Sequence, residues 1–534
     1  MYVGHRSQLF DDGEGKAVSA EPLPDVASET ELRLFLSDLD EANERCGHTI
    51  CGQTLGPFTS ALARTLPLCQ IMRMIQPTRV KILKDGPENP DGRYVLYWMG
   101  LSQRAVFNPA LEHAIDEANQ RNLPVVVCYG IAEGYPEVNA RHWTFLLQGL
   151  AEIGPALEER GIGFVARREG GPVETALTYA AGAALVIIDR NYLKPIRRYY
   201  DDFVARAPCR VVQVEGDVVV PIETASGKHD YAARTLRPKI YRLWEEYLQP
   251  LAPQPARHPA KGLALESTLD LSDIPRLVAS LACDQSVGPV KRFRGGQAEA
   301  ERRLADYLAG PFARYATIRG KPEAGAASHM SPYLHYGQIS PVAIALAVRE
   351  AKTGDAEDRA AYLEELVVRR ELAMNHVFYE PRYDSIDAMP DWCRKTLREH
   401  RDDRHPHLYT RQQLEAGETH DRYWNAAMQE MRDTGYMHNH MRMYWGKKIV
   451  QWSGSPEEAW DTALRFNNTY FLDGRDANSF TNVGWLFGLH DRPWGPQPVF
   501  GTVRSMGEAS LKKFDADGYV RDVERLSAAE RDGA

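Results

Sequence analysis

The chain has 534 residues, 43% of them hydrophobic and 26% charged, with 64 Lys and Arg against 73 Asp and Glu for a formal net charge of −9. That length is too great for one simple core and implies two or more domains, and the charge balance excludes a uniformly basic nucleic-acid coat without excluding an enzyme that has one basic face. No apolar run is long enough to span a bilayer, the polar opening residues give no expectation of a secretory leader, and seven scattered cysteines fit a reducing cytosol better than a disulfide framework.

Residues 1–75 are polar at first and then rich in Ala and Leu, and are read as an N-terminal extension of unknown role. Cys46, His48, Cys51 and Cys69 do not have a standard zinc spacing, so no metal is expected there. Met72 and Met74 precede the next region, and a translation start at one of them is an expectation. Residues 93–99, 124–129, 163–166, 184–189 and 210–214 are apolar, β-branched runs, with amphipathic stretches at 109–121 and 141–160 between them. Strand–helix alternation of this kind predicts a doubly wound parallel sheet across residues 76–222. No Gly-x-Gly-x-x-Gly follows a strand, and Ser226, Gly227 and Lys228 lack the upstream glycine of a phosphate loop, so ordinary dinucleotide binding is not expected in this half. A linker is assigned to 223–295, with a proline-rich stretch at 249–261. From 296 to 534 the periodicity is helical, at 299–308, 341–353 and 359–376 and then in tryptophan-bearing segments, which predicts a second, all-helical domain.

Within that second domain Ser331 is placed as the N-cap and Pro332 in the first turn of a helical run at 333–338, whose free N–H groups could take an anion such as a pyrophosphate. Glu365 and Arg369 lie four apart on a helix and so share a face, where a surface ion pair is the plain reading. Trp424, Trp445, Trp452, Trp460, Trp485 and Trp494 crowd residues 419–495, and a helix at 437–452 starts after Gly435 and is stopped by Gly454 and Pro456. Trp445 and Trp452 share one face of it, roughly 10 Å apart along the axis. Core packing is the commoner reason for such a stripe. The fixed charges of Arg442, Lys447 and Lys448 on the same helix, with Asp473 and Asp476 in a Gly-interrupted turn, leave an electron-transfer chain open as the alternative. His438 and His440 are two apart on a helix and do not face each other, so they are not read as metal ligands.

Taken together, several pieces resemble the class II cyclobutane pyrimidine dimer photolyases of the photolyase/cryptochrome family. They are Thr419-His420-Asp421, Trp424-Asn425-Ala426, Met441-Arg442-Met443-Tyr444-Trp445, Leu472-Asp473-Gly474-Arg475-Asp476, His490-Asp491-Arg492, the strand from Arg93 and the segment from Tyr231 to Ile240. The resemblance runs from about Gln76 to Leu526 in family order. It implies an N-terminal Rossmann-like antenna domain, a long linker and a helical FAD-binding catalytic domain. It implies an enzyme, a deoxyribodipyrimidine photo-lyase, in which reduced, anionic FAD absorbs light and passes an electron to a pyrimidine dimer in UV-damaged DNA. A second antenna chromophore, a deazaflavin or a folate, is implied without a basis for choosing between them. The expected setting is cytoplasmic and DNA-associated, as a monomer with no obligate protein partner and no membrane.

The same resemblance assigns roles residue by residue. Tyr315, Ser328, His329, Met330, Ser331 and Gln338 are expected around FAD, with Gly320 standing where the family usually has Asn. Arg442 and Asp473 resemble the ion pair at the flavin's reactive edge, and Asn467, with Asn468 as the alternative, faces flavin N5. Glu365 resembles the carboxylate that hydrogen-bonds the dimer, Trp485 is the stacking candidate for the flipped lesion, and Met443 and Arg369 complete the substrate side, Arg369 where some relatives have an aromatic residue. Trp445, Trp424 and Trp452 are the implied electron chain, Trp452 toward solvent, while Trp460 and Trp494 are assigned to packing. A cryptochrome-like blue-light photoreceptor without repair is the alternative, against which the set Glu365, Asn467 and Trp485 argues.

Overall fold

Five apolar runs form strands at the expected places. They are β2 (Tyr94–Trp98), β3 (Val125–Gly130), β4 (Gly163–Arg167), β5 (Ala183–Asp189) and β6 (Arg210–Val214), in a computed structural model that describes residues 75–86 and 88–531. β2, β3 and β5 are buried along their whole length, as strands must be when helices cover both faces of a parallel sheet. A sixth strand, β1 (Val80–Lys84), was not expected. The sheet order is β1-β6-β5-β2-β3-β4. β2 pairs in parallel with β3 and β5, and β6 lies parallel to β5 and antiparallel to β1. The sheet is therefore mixed rather than purely parallel. The sequence of β1, Val-Lys-Ile-Leu-Lys, is half exposed, and lysines on an edge strand discourage further strand addition while masking the apolar pattern.

Helices cross over between the strands. Asn108 accepts the Leu111 N–H to start Pro109–Arg121, and Asn139 and His142 form a capping box at the head of Ala140–Glu159. Asp189 at the end of β5 turns the loop after β2: its carboxylate accepts the Tyr97 hydroxyl and the N–H groups of Gly100, Leu101 and Ser102. After β6 the chain docks on the helical half through Asp217, which meets Arg370 at 2.7 Å with both side chains buried. The adjacent Glu371 receives the N–H groups of Val219 and Val220, and burial pushes its carboxyl up to about 8. The stretch assigned as linker contains two helices, Ala233–Tyr247 and Ile274–Ser280.

The helical half is built on one large core cluster that includes Trp424, Trp445, Trp452 and Trp460. Three helices carry most of the residues singled out from residue 419 onward: Arg422–Thr434, Asn439–Trp452 and Ala477–Leu486. A further helix changes pitch midway. Ala356–Leu363 is α-helical, Glu364–Arg369 is a π-turn, and Arg370–Tyr379 is α-helical again. The helix expected at 333–338 is instead the short Ser331–His335, capped by Met330, so Ser331 is its first residue and not its N-cap. Gly337 ends it at φ +64°, where a Cβ would sit 1.7 Å from the Leu101 carbonyl oxygen, so only glycine fits. Cys128, Cys209, Cys283 and Cys393 are free thiols, whereas Cys46, His48, Cys51, Cys69, Met72 and Met74 lie outside the described residues. Among the described residues no helix is long and apolar enough to cross a membrane, and no group of His, Cys, Asp and Glu could hold a metal ion.

Candidate active site

A cleft with an empty volume of about 990 Å³ opens in the helical half. Nine of the residues singled out from the sequence line it: Tyr315, Ser328, Met330, Ser331, Glu365, Arg442, Asn467, Asp473 and Asp476. Arg442 and Asp473 form a two-pronged pair, each N–H···O distance 3.0 Å. The Arg442 Nε donates to the Met437 carbonyl, and its guanidinium carbon lies 3.9 Å from the centre of the Phe471 ring. A guanidinium held on three sides in this way is a fixed charge rather than a mobile one. Asn467 donates to Asn468 at 3.1 Å, which turns its own amide oxygen outward, while Asn468 is spent on the Arg475 N–H and the Glu137 carboxylate. Of the two asparagines, then, only Asn467 serves the cleft.

Two expected cofactor contacts are not brought there. Gln338 is fully buried between the two halves, accepting the Gly296 N–H at 2.8 Å and donating to the Phe145 carbonyl. His329 has a left-handed backbone (φ 56°) and turns its ring onto Tyr436 at 4.6 Å and Phe293 at 5.7 Å. Burial pushes its imidazole down to about 3, so it is neutral. Sequence reasoning missed Asn478, Ser479 and Asn482, which line the cleft from the Ala477–Leu486 helix. Their spacing on one helical face was the available signal. Gly320 has open space around it.

The π-turn reorders the rim. In a π-turn residues five apart share a face, so Arg369 pairs with Glu364 at 3.2 Å and not with Glu365. Glu365 instead meets Arg319 at 2.6 Å, with the two side chains 40% and 41% exposed. So exposed a pair is weak, which leaves the Glu365 carboxylate available to another partner. Arg369 also stands over Trp485 at 5.6 Å, and Trp485 lies one turn beyond Asn482 on the same helix. Trp485 is partly exposed and meets His490 edge-on at 6.4 Å. Met443 packs against the large core and does not line the cleft.

Behind the cleft runs an aromatic path. Trp445 touches Phe471, the ring under Arg442, at 6.4 Å. The Trp424 indole N–H donates to the Trp445 carbonyl at 2.9 Å, and the Trp424 and Trp452 rings are 5.6 Å apart. Trp424 thus packs on the Trp452 ring and is tied to the backbone of Trp445, both on the Asn439–Trp452 helix. Trp452 is 1% exposed and not open to solvent, because Tyr409 and His420 cover it at 5.4 and 5.3 Å. Trp460 packs on Phe487 as expected. Trp494 is not core packing: it is partly exposed, with the guanidinium groups of Arg492 and Arg504 against its ring.

A second cavity, with an empty volume of about 1120 Å³, lies where the ends of β2, β3 and β5 meet the helical half. Strand order reverses here, since the chain winds outward from β2 to β4 and then returns to place β5 on the other side of β2. Such a switch point is the preferred ligand site of a doubly wound sheet. The lining is strongly aromatic and includes Trp98, Tyr129, Tyr135, Trp143, Tyr192 and Tyr199. Asp476 lines both cavities.

This pairing of a doubly wound sheet with a helical, cleft-bearing half is the photolyase/cryptochrome fold. The chain aligns with a class III photolyase from Agrobacterium tumefaciens at a TM-score of 0.61 and 21% identity, covering 82% of this chain and 87% of that one. It aligns with a Synechocystis cryptochrome at a TM-score of 0.63 and 16% identity, covering 80% and 88%. A DNA photolyase family model matches residues 95–259. A deoxyribodipyrimidine photo-lyase from Methanothermobacter thermautotrophicus is 41% identical over 85% of this chain and 99% of its own length. One from Oryza sativa is 37% identical over 88% and 95%, and one from Arabidopsis thaliana is 36% identical over 85% and 94%. The chain belongs to the DNA photolyase family.

Proposed function

We propose that the protein repairs cyclobutane pyrimidine dimers in UV-damaged DNA under light, as a class II photolyase. The observation that carries this reading is the convergence of Glu365, Asn467 and the Arg442–Asp473 pair on one cleft backed by linked tryptophans. Family membership supports FAD as the group for that cleft. The donor set suits it: amides at Asn467, Asn478 and Asn482, hydroxyls at Ser328, Ser331 and Ser479, and a fixed guanidinium. Bound there and reduced, FAD would supply an electron donor that light makes strong enough to reduce a dimer.

The chain's own residues position and stabilise. Arg442, held by Asp473, sets a permanent positive charge where an anionic ring is favoured. Asn467, oriented by Asn468, offers one amide oxygen as a hydrogen-bond acceptor. Glu365 can exchange Arg319 for the N–H edge of a pyrimidine. Trp485 offers an indole face to a damaged base pair, which costs less to flip out than an intact one. Trp445, Trp424 and Trp452 form the route by which electrons would re-reduce the cofactor, and Tyr409 and His420 continue it outward. In the second cavity the aromatic lining suits a planar light-gathering chromophore, a deazaflavin or a folate.

The reading is tested on the purified protein in the dark. The expected result is FAD in the heat-released fraction by mass spectrometry, with tighter binding to a dimer-containing duplex than to the undamaged one. Another cofactor, or equal affinity for the two duplexes, would overturn it.

A further inference from the structure

None of the proposed chemistry uses Lys447, although it follows Trp445 by two residues on the same helix. It is 2% exposed, and an ammonium that deep is costly without a charged partner. Among the described residues it forms no ion pair. Its one hydrogen bond, at 2.6 Å, goes to the carbonyl of Leu486, the last residue of the Ala477–Leu486 helix. The final carbonyls of a helix have no partner within it and carry the negative end of its dipole. A buried ammonium is a strong cap for them.

The capped carbonyl comes directly after Trp485. Gly446 allows the close approach: a Cβ there would lie 2.4 Å from the Leu486 side chain. The helix that carries Arg442 and Trp445 is thereby fastened to the helix that carries Asn478, Asn482 and Trp485 at the point where Trp485 leaves the core.

We propose that Lys447 is a positioning residue for lesion recognition, whose charged side chain caps the Ala477–Leu486 helix and so fixes Trp485 against Arg369 and His490 at the rim of the cleft. This inference rests on the dimer-repair reading. Burial pushes the Lys447 amine down to about 7, with Asp491 pulling it up and Arg504 pushing it down. The Cys393 thiol that also faces it is itself pushed up by burial to about 12 and stays protonated, and the nearby Phe500 ring, 5.8 Å away, carries no charge. The cap therefore loses its charge as pH rises through about 7. Burial holds His376 down at about 2 and His490 down at about 4, so neither changes charge in that range.

The test is dark affinity of the flavin-loaded protein for dimer-containing and undamaged duplexes, from pH 6 to 9. Lys447→Met is expected to lower the preference for the dimer at pH 6 by roughly tenfold, the size of one charged hydrogen bond, with affinity for undamaged duplex unchanged. The wild-type preference is expected to fall toward that of Lys447→Met as pH rises past 7, and the variant's own profile is expected to be flat. Lys447→Arg keeps its charge and is expected to restore the preference without the pH dependence. Light-driven reduction of the flavin is expected to be unchanged in both variants. An undiminished preference in Lys447→Met at pH 6, or a sloping profile that survives in it, overturns the proposal. So does loss of flavin in Lys447→Met together with no restoration by Lys447→Arg, which would mark a structural role. A wild type without dimer preference at any pH would remove the dimer-repair reading itself, a result distinct from any difference between variants.

Discussion

The two cavities differ in the chemistry of their linings. The one at the strand ends is aromatic and is shaped by sheet topology, with the Asp189 carboxylate setting the loop that forms its floor. The cleft in the helical half is lined by amides and hydroxyls around one fixed ion pair. A parallel sheet offers a slot wherever its strand order reverses, and here Asp217, Arg475 and Asp476 stand among a largely aromatic and apolar lining. Helices, by contrast, can bring single polar side chains from separate elements to one point and lock each by its neighbours. The first arrangement suits holding a flat molecule, and the second suits steering an electron. On the proposed reading, Asp476, shared between them, places the two tasks side by side.

Substitutions can separate those tasks. The largest effect is expected from Trp445→Phe, which should reduce light-driven reduction of oxidised flavin to near the dark rate. Repair by chemically reduced protein should persist, since the indole does not line the cleft. Loss of both, measured by flavin absorbance and by product chromatography, would show that Trp445 serves the lesion pocket and not only the electron chain. Next comes Asp189→Ala, which leaves the N–H groups of Gly100, Leu101 and Ser102 without their acceptor and the buried Tyr97 hydroxyl with Asn108 alone and should cost about 3 kcal/mol or more. It should disturb the strand-end cavity and spare the cleft, so a variant that loses FAD in proportion to its thermal destabilisation would break the comparison.

Glu365→Ala should lower repair yield per photon by about tenfold with flavin retained, and an unchanged yield would remove that residue from the mechanism. The last expected effect concerns stability against pH and not the reaction. Burial holds His376 down at about 2 and His490 and His438 down at about 4. An unfolded histidine titrates near 6.5. Between those values the unfolded chain binds more protons, so the stability from these residues is complete above about pH 6.5 and drains away as pH falls toward 4. Each such histidine should cost about 1–2 kcal/mol by pH 5, and a thermal midpoint that stays level from pH 7 to 5 would contradict their burial as neutral rings.

Much of this architecture is visible in the residues themselves, and the exceptions have physical causes. β2, β3 and β5 stand out because strands buried on both faces need unbroken apolar runs. β1 does not, because an edge strand is better served by Lys81 and Lys84. Glu365 and Arg369 suggest an ion pair only if the helix keeps its regular pitch; the π-turn redirects Arg369 to Glu364 and frees Glu365 for Arg319. Asn468, the alternative to Asn467, is engaged by Glu137 and Arg475, partners far away in sequence or across a turn. Gln338 looks like a cleft residue from its place in the motif, but Gly296 and Phe145 claim its amide. Trp452 looks terminal on its helix, and only the distant Tyr409 and His420 reveal that it is covered.

On the proposed reading the polar cleft turns absorbed light into dimer cleavage. The most direct measurement is recovery of thymine absorbance in a thymine-dimer oligonucleotide mixed with the purified, reduced protein, under blue light and in darkness. Recovery under light alone is the predicted result. No recovery in a protein that holds FAD and binds the damaged strand would contradict it and would favour a light sensor built on the same fold.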